Sequence, residues 1–153
     1  MQLEQYRLKA NKTFVSFRFT SVGPKGSIEK RILYSKTDDR GVYNLAFGDK
    51  LENSKEINDT VVTNNQDSQK VLATVAASVY VFTKKYPKAW VVLTGSTASR
   101  TRLYRMGISL YFDELSQDFD IYGYLNEKWV GFERNTDYEA FIVKRKNNNH
   151  DKE

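Results

Sequence analysis

The chain has 153 residues, of which 40% are hydrophobic and 14% aromatic, and its 24 basic and 19 acidic residues give a net charge of +5. This length fits one domain with a sizeable buried core, and the composition excludes a disordered chain. The absence of cysteine excludes disulfides, thiolate metal sites and cysteine nucleophiles. The single histidine, His150, falls in a polar tail, which argues against histidine catalysis and histidine metal centres.

The same composition sets expectations for location and partners. No segment reaches the roughly 18 apolar residues of a membrane span, and residues 1–12 contain no apolar signal core. We therefore predict a cytoplasmic protein with no membrane partner and no cofactor or metal. One domain is predicted over residues 1–146, followed by a disordered polar tail over residues 147–153. The mild positive charge permits nucleic acid or another polyanion as a partner.

The first third of the sequence predicts a meander of β-strands. β-branched and aromatic residues over 13–20 and 27–35 flank the strong turn chemistry of residues 22–26, which predicts a hairpin. A third strand is predicted over residues 42–48. A polar loop over 49–59 and a short edge strand over 57–63 follow.

After residue 67 the apolar spacing becomes helical. It predicts a helix over residues 68–86, with Asp67 as its N-cap and Pro87 at its end. A buried strand is predicted over residues 89–94. A second helix is predicted from Thr97 onward, and its apolar residues are expected to face the core: Leu103, Met106 and Leu110.

The last part of the chain again predicts strands. Residues 119–125 and 129–132 flank a polar turn and predict a hairpin, and residues 138–146 predict a final strand. The resulting fold class is α+β, a mostly antiparallel sheet with the strand meander first and two helices packed on one face.

The clearest candidate site follows the buried strand at residue 94. Gly95 predicts a tight turn, and the hydroxyls of Ser96 and Thr97 precede the predicted helix. The first amides of a helix have no internal partner and its dipole is positive there, so such a terminus binds anions. The alternative is a simple helix cap, which needs no ligand.

Three arginines follow this turn, namely Arg100, Arg102 and Arg105. On a helix Arg102 and Arg105 share a face, whereas Arg100 points toward the side of Tyr104. The three therefore cannot bind one small anion together. Either some of them are structural, pairing with acidic residues near 113–118, or their target is extended like a nucleic-acid backbone.

A second constellation is Gly95-Ser96 with Asp118 and Asp120 further along the chain. It resembles the nucleotidyltransferase pattern, in which two carboxylates one residue apart on a strand hold Mg²⁺ against nucleotide phosphates. The longer spacing between Gly95 and Asp118 departs from that family. The alternative is that these carboxylates are surface charges beside a hairpin.

Basic and aromatic residues also interleave on the predicted first hairpin. Such a surface binds single-stranded nucleic acid when bases stack on the aromatic rings and cations hold the phosphates. The candidates are Lys25 at the hairpin tip for phosphate contact, and Tyr34 or Tyr104 for base stacking. The alternative is a core face of aromatics with a solvated basic face opposite.

Several segments resemble a bacterial family of uncharacterised proteins of about this length: VYNLAFGD, NDTVVTNNQDSQKVLATVA, YPKAWVVLTGSTASRTRLYR and YEAFIVKRK. The most specific part is the motif Gly-Ser-Thr-x-x-Arg-Thr-Arg-Leu-Tyr at residues 95–104. This resemblance implies no activity and no site roles. The meander that leads into a helix is also similar to the Whirly-like single-stranded DNA-binding regulators.

The leading functional hypothesis is a small binding protein for single-stranded nucleic acid or another polyanion. Two alternatives stay open: a phosphate-directed enzyme of nucleotidyltransferase type, and an antitoxin-like module that binds a protein partner. Edge strands of the meander would also allow a homodimer.

Overall fold

The computed structural model describes residues 4–50, 57–58, 65–95 and 97–147. Within these residues one sheet is covered on one face by three helices. The strands are β1 (Lys9–Ala10), β2 (Ser16–Gly23), β3 (Gly26–Lys36), β4 (Val42–Lys50), β5 (Ile57–Asn58), β6 (Trp90–Leu93), β7 (Phe119–Leu125), β8 (Lys128–Gly131) and β9 (Ala140–Arg145). The helices are α1 (Ser68–Lys85), α2 (Ala98–Leu110) and α3 (Phe112–Asp118). None of these helices is both long enough and apolar enough to cross a membrane.

The sheet order is β1-β2-β3-β4-β6-β9-β7-β8, and β5 pairs with the end of β4. Every neighbouring pair is antiparallel except β4 and β6, which run parallel because α1 carries the chain back between them. The predicted α+β class and mostly antiparallel sheet are confirmed. The predicted edge strand appears as β5, and the remaining residues of that prediction, 59–63, lie outside the described residues.

Two tight hairpins follow the turn chemistry of the sequence. Gly23 pairs with Gly26 across a two-residue turn, and Gly26 adopts φ +90°, which glycine tolerates without strain. In the second hairpin Leu125 pairs with Lys128, and the two turn residues have φ values of 53° and 62°. Positive φ at both central positions fits the right-handed twist of the flanking strands.

The start of α1 is tied to the first hairpin through a buried polar cluster. Asn65 is almost fully buried, and its side chain accepts from the Lys25 amide at 2.7 Å and donates to the Gly26 carbonyl at 2.8 Å. Asp67 holds the N-cap position, but its carboxylate accepts 2.5 Å bonds from Tyr6 Oη and Ser21 Oγ instead of capping α1. The cluster therefore joins three parts of the chain that are distant in sequence.

The orientation predicted for α2 is wrong for two residues. The buried positions of α2 are Arg100, Tyr104 and Ile108, while Met106 and Leu110 are 45% and 46% exposed. The reason is Gly107, where a Cβ would stand 3.0 Å from Leu72 of α1. The small residue lets the two helices approach closely, so the side of α2 that carries Gly107 packs inward.

The predicted second helix is divided. Tyr111 adopts φ −110° and ψ 18°, which ends α2 and starts α3. Its hydroxyl donates to the Gln69 carbonyl at 2.8 Å and so anchors the junction on α1. The structure thus has three helices in its described part, where the sequence predicted two.

Candidate functional site

The N-terminus of α2, predicted as an anion site, is built around Thr97 and Gly95. Thr97 is extended, with φ −135° and ψ 162°, and its Oγ1 accepts a 3.1 Å hydrogen bond from the Arg100 amide. A Cβ on Gly95 would stand 2.3 Å from the amide nitrogen of Thr101, so the strand enters the helix where only glycine fits. Ser96 lies outside the described residues. The described geometry is that of a self-capped helix start.

The three arginines of the motif occupy three different environments. Arg100 is buried, and its guanidinium lies 5.6 Å from the centre of the Phe47 ring on β4. Arg102 is exposed, and Arg105 forms an ion pair with Asp137. Arg100 is therefore part of the core, and Arg105 is engaged in an ion pair whose aspartate is exposed. Of the three, Arg102 alone presents its side chain openly to solvent.

A buried ion pair lies on the face of the sheet that the helices cover. Lys30 on β3 and Asp49 on β4 are register partners, and their side chains form an ion pair. The Lys30 side chain is 1% exposed and that of Asp49 is 13% exposed. The sequence interpretation placed Lys30 on a basic surface and Asp49 in a loop. Both expectations are wrong. The alternation of β3 places Lys30 on the side of Ile32 and Tyr34, and β4 extends to Lys50 and so includes Asp49.

The two tyrosines predicted to stack on bases lie in the core. Tyr34 is 3% exposed, and its ring stacks on Phe82 with centroids 4.1 Å apart. Its hydroxyl lies 2.8 Å from Ser78 Oγ, and burial raises its pKa well above the ordinary value. Tyr104 is 4% exposed. Neither ring is accessible to a base, so the stacking prediction is corrected for both.

Replacing Tyr34 by phenylalanine tests this core assignment. Since the variant loses one buried hydrogen bond and little volume, we expect the free energy of unfolding to fall by about 1 kcal/mol. Urea unfolding followed by circular dichroism measures this change. An unchanged stability would contradict the role of the Ser78 bond.

The two aspartates of the enzyme hypothesis do not form a carboxylate pair on one strand. Asp118 is the last residue of α3, and its carboxylate accepts a 2.6 Å hydrogen bond from Tyr80 Oη. Asp120 lies on β7 opposite Lys144 of β9. Among the described residues, no group of three or more histidine, cysteine, aspartate or glutamate side chains could hold a metal ion. This geometry departs from the two-carboxylate arrangement that the nucleotidyltransferase pattern requires.

Lys25 lies at the tip of the first hairpin and is exposed. Its amide is fixed by Asn65, so the tip has a defined position while the side chain extends into solvent. The other aromatics of the first hairpin do not accompany it, because Phe17 and Phe19 are 1% and 3% exposed. The alternative interpretation, an aromatic core face with basic residues opposite, describes this hairpin.

The face of the sheet opposite the helices carries a different set of aromatic residues. We call it the open sheet face, since no helix of the described chain lies on it. Four aromatic side chains from β6, β7 and β8 lie there: Trp90, Tyr122, Tyr124 and Trp129. On β9, the register partner of Trp90 is Lys144 and that of Tyr122 is Ile142.

These four rings form two contacting pairs. Tyr124 and Trp129 are cross-strand partners with ring centroids 5.0 Å apart, and Trp129 is 44% exposed. Trp90 and Tyr122 have centroids 6.1 Å apart. The Lys144 ammonium lies 6.0 Å from the centre of the Trp90 ring, within the range of a cation–π contact. The face therefore combines one exposed ring and three half-buried rings with a cation.

Basic residues continue across the open sheet face on β2 and β3. Arg18 and Arg31 are register partners, and Arg18 is exposed. Arg31 pairs with Glu29 at 2.7 Å. Desolvation raises the pKa of Glu29, but the hydrogen bond from Arg31 and the nearby cations together outweigh it. The pKa of Glu29 is therefore lower than its ordinary value. Between this basic part and the aromatic part lies Leu33, which is 39% exposed.

Sequence reasoning missed this surface although a signal was present. Tyr122 and Tyr124 alternate with Ile121 and Gly123, so a strand that buries Ile121 must turn both tyrosines the other way. What the sequence could not show is which face the helices cover.

The fold and this surface define an α+β protein with one face of its sheet left open by its helices. The chain belongs to a family of unknown function, DUF6934, whose sequence model matches residues 2–146. No curated protein and no solved structure matches the chain. The similarity to Whirly-like regulators therefore stays a prediction, as does the cytoplasmic location.

Proposed function

We propose that the protein binds single-stranded nucleic acid across the open sheet face. The observation that carries this proposal is the two pairs of aromatic rings, Trp90 with Tyr122 and Tyr124 with Trp129, on the face that no helix of the described residues covers, beside Lys144. Unpaired bases stack on such rings, and each stacked base contributes about 1–3 kcal/mol.

The shape of the surface favours single strands over duplexes. A pleated sheet presents its rings as flat platforms, which unpaired bases can reach and bases inside a duplex cannot. Duplex grooves are instead read by an inserted helix or a two-stranded ribbon. The rings here lie within the sheet rather than on a projecting element, as β7 is flanked by β8 and β9.

The charge distribution supports a polyanionic ligand. Lys144 lies beside the aromatic rings. Arg18 on β2 and Arg31 on β3 lie on the same face, and in the order of the sheet their strands are five and four positions away from β7. With neighbouring strands about 4.8 Å apart, β7 lies roughly 20–25 Å across the sheet from β3 and β2, and β6 with Trp90 lies nearer, at roughly 10–15 Å. A single strand several nucleotides long would span both parts. The negative charges of Glu29 and Asp120 reduce the net positive charge of this face, so we expect a moderate affinity for nucleic acid.

The anion-binding prediction for Gly95, Ser96, Thr97 and the motif arginines is separate from this proposal. Arg102 extends from α2, which packs on the opposite face of the sheet. Lys25 lies in the turn between β2 and β3. The proposed contacts are accordingly Lys144, Arg18 and Arg31 for phosphates and the four rings for bases.

Replacing Trp129 by alanine is expected to weaken binding of a fluorescein-labelled oligothymidylate by roughly 5- to 150-fold, the equivalent of one stacked base. The Tyr124→Ala variant is expected to fall in the same range. Fluorescence anisotropy at low and moderate salt measures both affinities. Quenching of tryptophan fluorescence by unlabelled oligonucleotide reports contact with the rings directly.

Charge variants complete the test. If Lys144, Arg18 and Arg31 each contact a phosphate, the slope of log K against log salt is near −2, and Lys144→Gln reduces it by about 0.7. Matched controls on α1, across the sheet from this face, are Val81→Ala and Lys84→Gln, which should bind like the unmodified protein. Absence of salt-sensitive binding, or equal binding by Trp129→Ala, would exclude the proposal.

A further inference from the structure

Helix α2 carries a second apolar stripe beside the one that packs into the core. Leu103, Met106 and Leu110 recur at helical spacing and form this α2 stripe. Leu103 is partly buried against the core, while Met106 and Leu110 are nearly half exposed. Since the inward side is already filled by Tyr104 and Ile108, the α2 stripe is not needed to close the core.

Charges of opposite sign lie at the two ends of the α2 stripe. Arg102 is exposed near its N-terminal end. Asp113 follows its C-terminal end, in the first turn of α3, with a side chain 90% exposed. The nearest cation to Asp113 is Arg134, at a long 3.4 Å and itself exposed. An exposed pair of this kind contributes little and leaves the carboxylate available.

We propose that the α2 stripe is the interface of a two-fold symmetric dimer, in which α2 packs antiparallel against α2 of a second copy. In a two-fold interface the same patch is used on both copies and must be self-complementary. With Met106 near the axis, Leu103 of one copy meets Leu110 of the other. The same arrangement brings Arg102 of one copy to Asp113 of the other.

The order of the charges along α2 and α3 favours a second copy of this chain as the partner of the α2 stripe. Antiparallel pairing joins cation to anion at both ends, whereas parallel pairing would place Arg102 against Arg102 and Asp113 against Asp113. A helix of 13 residues is only about 20 Å long, so the contact is at the small end of stable interfaces. The dimer is therefore expected to dissociate on dilution.

This interface differs from the edge-strand dimer predicted from the sequence. The edges of the main sheet path are β1, with two residues, and β8, with four, which are short templates for strand pairing. The α2 stripe lies on the helix-covered side. Two copies joined there would turn their open sheet faces outward, so the inference does not depend on the proposed nucleic-acid binding.

Sedimentation equilibrium over a wide concentration range tests the inference with the full chain. We expect a monomer–dimer equilibrium, and Met106→Glu should weaken the dimer at least tenfold because two carboxylates meet near the axis. Val81→Glu, at an apolar position on α1 that is 37% exposed against 45% for Met106, should leave it unchanged. Circular dichroism confirms that each variant is folded.

A charge exchange makes the test specific for the antiparallel geometry. Arg102→Glu and Asp113→Arg should each weaken self-association, and the double variant should restore it. A monomer at every concentration would overturn the inference. So would a dimer that survives Met106→Glu, or a double variant no stronger than either single variant, since each outcome would place the contact elsewhere.

Discussion

Replacing Lys30 by methionine is expected to lower the free energy of unfolding by about 3–5 kcal/mol. The substitution removes the ammonium group that faces the Asp49 carboxylate between β3 and β4. The carboxylate keeps the cost of its desolvation but loses this countercharge, while the apolar stem of the residue is largely preserved. Few single substitutions in a chain of this size should have a larger effect.

Urea unfolding measures this change, and two further variants show its origin. Lys30→Met combined with Asp49→Leu removes both charges and should recover much of the lost stability. Arg31→Met changes the adjacent residue, whose ion pair with Glu29 lies on the open sheet face, and should cost about 0–1 kcal/mol. Equal effects of Lys30→Met and Arg31→Met would show that the buried pair contributes no more than the partly exposed one.

The second large effect is expected at Gly95. In Gly95→Ala the added Cβ would stand 2.3 Å from the Thr101 amide nitrogen and 2.4 Å from its Oγ1. The amide belongs to the first turn of α2, so the overlap cannot be relieved by rotating a side chain. We expect a loss of about 3 kcal/mol, at the upper end of the cost of overpacking.

Gly131→Ala is the matched control for this substitution. Gly131 has no atom within 4 Å of the position that a Cβ would take, so the change should fall within about 0.5 kcal/mol of zero. If Gly95→Ala were as stable as the unmodified chain, the turn between β6 and α2 would have to be looser than the structure shows.

Most secondary structure could be predicted from the sequence because its causes are local. The alternation of the first hairpin, the glycines of its turn and the helical spacing of α1 depend on neighbours a few residues apart. The second hairpin could be predicted equally well, because the polar residues Asn126 and Glu127 separate two strand-like segments. None of these features needs knowledge of the tertiary fold.

The orientation of α2 could not be predicted in this way. The helix has two apolar stripes, one through Met106 and Leu110 and one through Tyr104 and Ile108. Hydrophobicity alone favours the first, but close packing at Gly107 against α1 selects the second. The burial of Arg100 follows from the same choice and has no local signal.

The sequence could predict only part of the open sheet face, and the rest depended on the fold. The sequence correctly indicated that basic and aromatic residues occupy strands, but it paired the wrong aromatics with the basic residues. The rings of the first hairpin fill the core, and those beside Lys144 come from the second half of the chain. Which side of a strand is covered depends on where the helices pack, and this is a tertiary property.

The place of β9 in the sheet has a consequence for synthesis on the ribosome. Strands β1 to β4 pair with their sequence neighbours, so the N-terminal meander can form while the rest of the chain is still being made. Among the described residues, β6 and β7 are joined only through β9, which follows both of them in the chain. Until residues 140–145 leave the exit tunnel, both strands have an unpaired edge. We expect the nascent chain to need its last strand before the second half of the sheet can close.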